Sequence, residues 1–366
     1  MSGIGLIRVP PNNPDRDPSK DDIENIIDLA LDNGIPVTVF SKNINHRPNV
    51  DVIPIEKKNW NTTIGGLLSN LWFQIELTYY IIRRRSYLSD TIWHAGGFSL
   101  ILPILVSKIL GVSVAICVIG EPRNAYNQGS KMDRYLLSNL TLMTELISFT
   151  VSDNILTFTE SMADYSILSL YRNKIVSLPY NYQRVKRNEC KVEKIVFLGR
   201  VCRLKGADRF ADAVEFLSKS GYNKYEFVII GDGPLLSQLS DRFENDPNVR
   251  IEGWVPHSEA MAELSNSMLV VLPSRSEGLP KSILEGMSHG TVPVVTPVGD
   301  LSGLVRDGEN GFIVDSSVPN GTARAICRAL SEDTEYKRIS EEAIKTIERR
   351  YSLDTVSDEF HDIFVE

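Results

Sequence analysis

From Lys194 to Val314, short runs rich in Val and Ile alternate with amphipathic stretches of helical period. Continuous β-branched runs must be covered on both faces, which a parallel sheet with helices on each side provides. The strands expected are Lys194–Gly199, Glu226–Gly231, Val249–Glu252, Met268–Leu272, Val292–Thr296 and Phe312–Val314. Between them the pattern places helices near Ala207–Ser220, Pro234–Asn245, Ser258–Asn266 and Pro280–His289. This half reads as a doubly wound α/β domain.

The first half repeats the alternation less regularly, with strands near Gly5–Val9, Val37–Phe40, Thr91–His94, Ser113–Ile119, Ile155–Thr159 and Ile175–Ser177. A chain of 366 residues is longer than one core usually serves, at about 100–200 residues per domain. Two Rossmann-like, doubly wound domains facing across a cleft are therefore expected. The first covers residues 1–185 and the second residues 186–350. Polar residues crowd the boundary near Pro179–Glu193, and a last helix over residues 351–366 packs on either domain. Ligands of open parallel sheets bind beyond the carboxyl ends of the strands, so the chemistry should lie in those loops.

Composition removes several function classes. The net charge of −8 opposes general nucleic-acid binding, which depends on a basic surface. Cys117, Cys190, Cys202 and Cys327 show no Cys-x-x-Cys spacing, and the histidines form no His-Glu-x-x-His. Disulfide scaffolding and zinc chemistry are thus not expected, and a reducing, cytoplasmic setting is. Met1–Pro10 has no signal-peptide pattern. Phe98–Ile119 is long enough to span a membrane, but Pro103, Lys108, Gly111 and Ser113 divide it, so a buried helix followed by a buried strand is expected.

Three loops of the second half carry the candidate site. Gly199-Arg200-Val201-Cys202-Arg203-Leu204-Lys205-Gly206 sets Arg200 and Lys205 where a strand gives way to a helix start. Such a start offers free N–H groups and a positive dipole end, suited to a diphosphate. A basic solvated loop accounts for the same residues. Gly231-Asp232-Gly233-Pro234 is a tight turn in which Gly231 lets backbone approach a ligand. It lacks the third glycine of a dinucleotide fingerprint, so hydride transfer gains little support. In Pro273–Met287, Gly278 and Leu279 precede a proline that can open a helix, with Glu277 before that helix and Glu285 two turns inside it. Carboxylates free of basic neighbours suit the vicinal hydroxyls of a ribose or hexose. Helix-dipole complementation for Glu277, and a Lys281 pair for Glu285, are the plainer accounts.

Taken together, these segments resemble the family 4 glycosyltransferases, retaining sugar-nucleotide enzymes of the GT-B fold. The likeness rests on Gly199-Arg200 with Lys205-Gly206, Gly231-Asp232-Gly233-Pro234, Gly253-Trp254-Val255-Pro256, the Glu277–Glu285 pair and Gly308-Glu309-Asn310-Gly311-Phe312. The resemblance implies that Arg200 and Lys205 bind and neutralise the donor diphosphate. It implies that Gly278 and Leu279 offer N–H groups, that Glu285 holds the ribose, and that Glu277 holds the transferred sugar near its reacting carbon. Same-face attack is the expected route to retention. No metal and no cofactor are expected, the nucleotide sugar being a substrate. A sugar-nucleotide epimerase and a non-catalytic nucleotide-sugar-binding protein remain as alternatives.

The first half departs from the family pattern. Arg16 stands in the first strand-to-helix loop where a glycine pair is common, and Glu121 stands where a histidine is common, with Arg123 beside it. His94, Gly96 and Gly97 at another strand end complete the candidate acceptor or sugar contacts. Trp72–Arg85 joins aromatic and aliphatic residues to Arg83-Arg84-Arg85. A core helix with a basic cap is the preferred reading. A peripheral contact with the inner face of the cell membrane, bringing a lipid-linked or surface-glycan acceptor, is the alternative.

Overall fold

A computed structural model describes residues 3–8, 20–41, 44, 47–55, 63–94, 100–118, 131–164, 167–188, 191–331 and 333–365. The chain divides into two compact units, one of Met1–Asn181 with Val356–Glu366 and one of Tyr182–Thr355.

The first unit is built on seven parallel strands: β1 (Gly3–Arg8), β2 (Val37–Phe40), β3 (Val50–Ile53), β4 (Leu88–His94), β5 (Ser113–Val118), β6 (Asn154–Thr157) and β7 (Ile175–Ser177). Their order is β3-β2-β1-β4-β5-β6-β7. Its helices are α1 (Lys20–Asp32), α2 (Thr63–Arg84), α3 (Ile101–Ile109) and α4 (Lys131–Val151). The apolar stretch considered as a membrane span is thus α3 followed by β5. Among the described residues, no helix is long and apolar enough to cross a membrane.

The second unit has six parallel strands: β8 (Val192–Leu198), β9 (Glu226–Ile230), β10 (Val249–Gly253), β11 (Ser267–Leu272), β12 (Val292–Val295) and β13 (Phe312–Ile313). The order is β10-β9-β8-β11-β12-β13. Helices α5 (Ala207–Lys219), α6 (Leu236–Arg242), α7 (His257–Asn266), α8 (Lys281–Ser288), α9 (Leu301–Leu304), α10 (Gly321–Ala329) and α11 (Asp333–Arg350) connect or cover them. Phe197, Phe210, Phe227, Val271 and Ile283 are fully buried, each contributing about 1.5–3 kcal/mol of hydrophobic stabilisation. Strand order reverses between β8 and β11. In an open parallel sheet the loops after two such strands part and leave room for a ligand.

The last helix, α12 (Leu353–Phe364), contributes its residues from Val356 onward to the first unit. There Ser357 Oγ donates to Asp32 Oδ2 at 2.9 Å and accepts from Asn33 Nδ2 at 2.9 Å, while Phe360 is buried.

Candidate functional site

The loops after β8, β9, β11 and β12 are stitched together at the carboxyl edge of the second sheet. Val201 N–H donates to Asp232 O at 2.9 Å, Arg275 N–H donates to Leu204 O at 2.8 Å, and Thr296 Oγ1 donates to Ser274 O. Two glycines make the close approach feasible. Gly206 has φ +75°, and a Cβ there would stand 2.1 Å from Pro273 O. Gly231 has φ +134°, and a Cβ would stand 2.0 Å from Gly199 O. Side chains at either position would drive the loops apart.

This packing brings Lys205 and Glu277 into contact. Lys205 Nζ lies 2.5 Å from Glu277 Oε2, and Ser274 Oγ donates to Glu277 Oε1 at 2.6 Å. The Glu277 side chain is only 3% exposed, against 25% for Lys205. A carboxylate so removed from water needs a counter-charge and hydrogen bonds to both oxygens, and it has both. An ammonium carries three donors, so Lys205 can hold Glu277 and still offer a hydrogen to a phosphate. Arg200, two residues beyond β8, is exposed, and among the described residues its guanidinium has no side-chain partner. Arg203 on the same loop is likewise exposed, so among the described residues Arg200 and Arg203 are the loop's cations without a carboxylate partner, and Arg200 stands nearer the strand end.

The two helix starts near the switch point differ. Asp208 occupies the first turn of α5, and its carboxylate takes two hydrogen bonds from Arg275, both at 2.8 Å. Burial alone would raise the Asp208 carboxyl, but these bonds and the Arg275 charge outweigh it and hold the group below the usual carboxylate range. The dipole of α5 is thereby complemented from within. Helix α8 has no acidic residue in its first turn and no side-chain cap at Pro280. Its first N–H groups, with the Gly278-Leu279 segment leading into them, form the helix start better suited to an outside anion.

Glu285 lies on α8 and is 13% exposed; its Oε1 stands 2.9 Å from Nε2 of His257, the first residue of α7. Glu285 Oε2 has no partner among the described residues and remains available as an acceptor. The expectation that both glutamates lack basic neighbours is therefore corrected: Glu277 has Lys205 and Glu285 has His257, because each neighbour arrives from another strand's loop. His257, Ser274 and Arg275 were not among the expected site residues. The one signal for His257 was its place directly after Gly253-Trp254-Val255-Pro256, at a strand-to-helix turn.

In the first unit, His94 ends β4 opposite Arg8 of β1. Arg16, Gly96, Gly97 and Glu121 lie outside the described residues. Among the described residues, no group of three or more His, Cys, Asp or Glu could hold a metal ion. One Asp-x-Asp, Asp15-Arg16-Asp17, occurs in the chain and also lies outside the described residues.

Sequence comparison bears directly on this edge of the sheet, since residues 192–332 match the family described as glycosyl transferases group 1. The match runs from β8 through α10 and so contains the candidate site residues of the second unit. The chain is 31% identical over 175 residues to an alpha-D-kanosaminyltransferase of Streptomyces kanamyceticus, covering 47% of this chain and 45% of that protein. The chain thus spans about half the length of that relative. A longer match, 27% identical over 322 residues, joins 79% of this chain to 74% of a 2-deoxystreptamine N-acetyl-D-glucosaminyltransferase of Streptomyces fradiae. Among solved structures, the Anabaena protein HepE in complex with UDP-glucose superposes with a TM-score of 0.71 at 14% identity, covering 99% of both chains. The fold class is GT-B, two parallel-sheet α/β units.

Proposed function

We propose that the chain is a family 4 glycosyltransferase that moves a sugar, with retention and without a metal, from a nucleotide-diphosphate sugar to a glycan or lipid-linked acceptor in surface-polysaccharide or glycoconjugate biosynthesis. The observation that carries this reading is the Lys205–Glu277 contact at the β8/β11 switch point, with Arg200 exposed on the same loop. The names of the kanosaminyl- and N-acetylglucosaminyltransferases, and the UDP-glucose bound to HepE, support the donor class.

In this reading Arg200 takes the diphosphate, and Lys205 shares its ammonium between Glu277 and the phosphate that will leave. Gly278 and Leu279 offer backbone N–H groups, and Gly231 lets the second loop come close to the donor. Glu285 Oε2 accepts from the ribose while His257 holds Oε1. Glu277 accepts from the hydroxyls of the transferred sugar. The bond from the anomeric carbon to the departing phosphate oxygen breaks, and the acceptor oxygen bonds to that carbon on the same face. The acceptor's proton passes to the departing oxygen. Negative charge grows on the diphosphate, and fixed cations and helix N–H groups stabilise charge that develops in place. Same-face attack needs no pair of carboxylates flanking the bond, unlike the double-displacement route of glycosidases. Acceptor contacts fall to the first unit, with Arg16, His94, Gly96, Gly97 and Glu121 as candidates.

A panel of sugar nucleotides assayed for nucleoside diphosphate release in the presence of chelator, with and without membrane extract, tests the proposal. Release that depends on one donor, is stimulated by acceptor and survives chelation is expected. Conversion of the donor without any acceptor would instead identify an epimerase, and binding without turnover a silent binding protein.

A further inference from the structure

Helix α2 is apolar on two sides. Phe73, Leu77 and Ile81 are buried in the first unit, whereas every exposed residue from Leu68 to Ile82 is also apolar: Leu68, Leu71, Trp72, Ile75, Tyr79 and Ile82. Their spacing sets them in one helical stripe. The neighbouring α3 continues it, since its exposed residues are Leu102, Leu105 and Ile109, the last 83% exposed. The two helices are joined where Leu102 N–H donates to Gln74 Oε1 at 3.2 Å. A soluble surface of this kind normally interleaves charges; here the polar Gln74, Glu76 and Lys108 are half-buried, and an exposed apolar face across two helices marks a docking surface.

Charge identifies the occupant. Arg83, Arg84 and Arg85 follow directly at the end of the stripe, in a chain whose net charge is −8. Arg83 is exposed, lies 5.5 Å over the Tyr79 ring and donates to its hydroxyl at 2.9 Å. Arg84 pairs with Asp51 at 2.8 Å, and Arg85 is exposed. Trp72 and Tyr79 have the amphipathic rings that settle at headgroup depth. A symmetric pairing of two copies through this face would bring two arginine clusters to one interface, whereas an anionic headgroup layer neutralises them.

We propose that the α2–α3 face of the first unit docks on a lipid bilayer carrying anionic headgroups, the aliphatic and aromatic side chains entering the acyl boundary and Arg83 and Arg85 meeting headgroup phosphates. This surface acts independently of the transfer reaction and requires neither donor nor acceptor.

The test is co-sedimentation of the full chain with vesicles of phosphatidylcholine alone or phosphatidylcholine with phosphatidylglycerol. Binding to the anionic vesicles is expected. Trp72→Glu/Ile75→Glu on α2 and Leu105→Glu/Ile109→Glu on α3 should each weaken it by at least about tenfold. These positions are exposed, and an unchanged circular dichroism spectrum and melting temperature verify that each variant is folded. Arg83→Gln/Arg85→Gln should remove the preference for anionic lipid. Absence of binding to either vesicle overturns the proposal. So does concentration-dependent dimerisation that the same glutamate variants abolish, which would assign the face to a second copy.

Discussion

Lys205 Nζ and Glu277 Oε2 meet at 2.5 Å although 72 positions separate them in the chain. The contact joins the two loops that flank the switch point, and it places a cation and an acceptor where a sugar diphosphate would enter. Removing only the lysine leaves a carboxylate with a 3% exposed side chain without its counter-charge. Lys205→Met should therefore destabilise the protein by about 2–4 kcal/mol and slow transfer by roughly a hundredfold. Adding Glu277→Gln should restore most of the stability and none of the rate, as measured by denaturant unfolding and initial velocity.

Glu285→Ala should chiefly raise the donor KM, by about tenfold or more, since a hydrogen bond to a charged group is lost. His257→Ala should raise KM less and leave kcat near its original value, because His257 touches the carboxylate at 2.9 Å and not, in this account, the donor. His257→Gln, which keeps a donor, should recover part of the loss. Equal kcat effects at both positions would contradict these roles.

Gly206→Ala forces a Cβ to within 2.1 Å of Pro273 O at φ +75°. A cost of about 2–4 kcal/mol is expected from backbone strain and loop displacement. Thermal melting measures the cost, and donor KM should rise with it because the 205 and 277 loops separate.

The Asp208 carboxyl sits below its usual range because Arg275 outweighs its burial. A lowered folded pKa contributes stability that is present above the unfolded value of about 3.9 and lost as pH falls through the folded one. Urea unfolding between about pH 5 and pH 2 should show this loss, and Asp208→Asn should flatten it. Arg275 is 37% exposed, so screening limits the difference to about 1 kcal/mol.

The βαβ rhythm of the second unit was legible because Ile195–Phe197, Phe227–Ile230, Leu269–Leu272 and Val292–Val295 are buried and read as short apolar runs. Strand β3 was not, since Val50–Ile53 is four residues long, with Asp51 exposed. Helix α11 escaped notice because charges dominate it, although Ile339, Ala343 and Ile347 form its buried stripe. In the site, spacing could place Arg200, Lys205, Glu277 and Glu285 at strand ends and helix starts. It could not reveal that Lys205 reaches Glu277 or that His257 reaches Glu285, since those contacts depend on which strands lie side by side. Periodicity likewise marked α2 as apolar without saying that only the Phe73–Leu77–Ile81 side is buried.

The proposed transfer requires a nucleoside diphosphate to settle between the 200–206 and 274–281 loops. Calorimetric titration of the full chain with a panel of nucleoside diphosphates measures this without knowledge of the acceptor. Saturable binding of at least one, weakened by about tenfold or more in Arg200→Ala, is the predicted result. Failure of every nucleoside diphosphate to bind, or binding in both Arg200→Ala and Glu285→Ala as tight as in the unaltered chain, would contradict it.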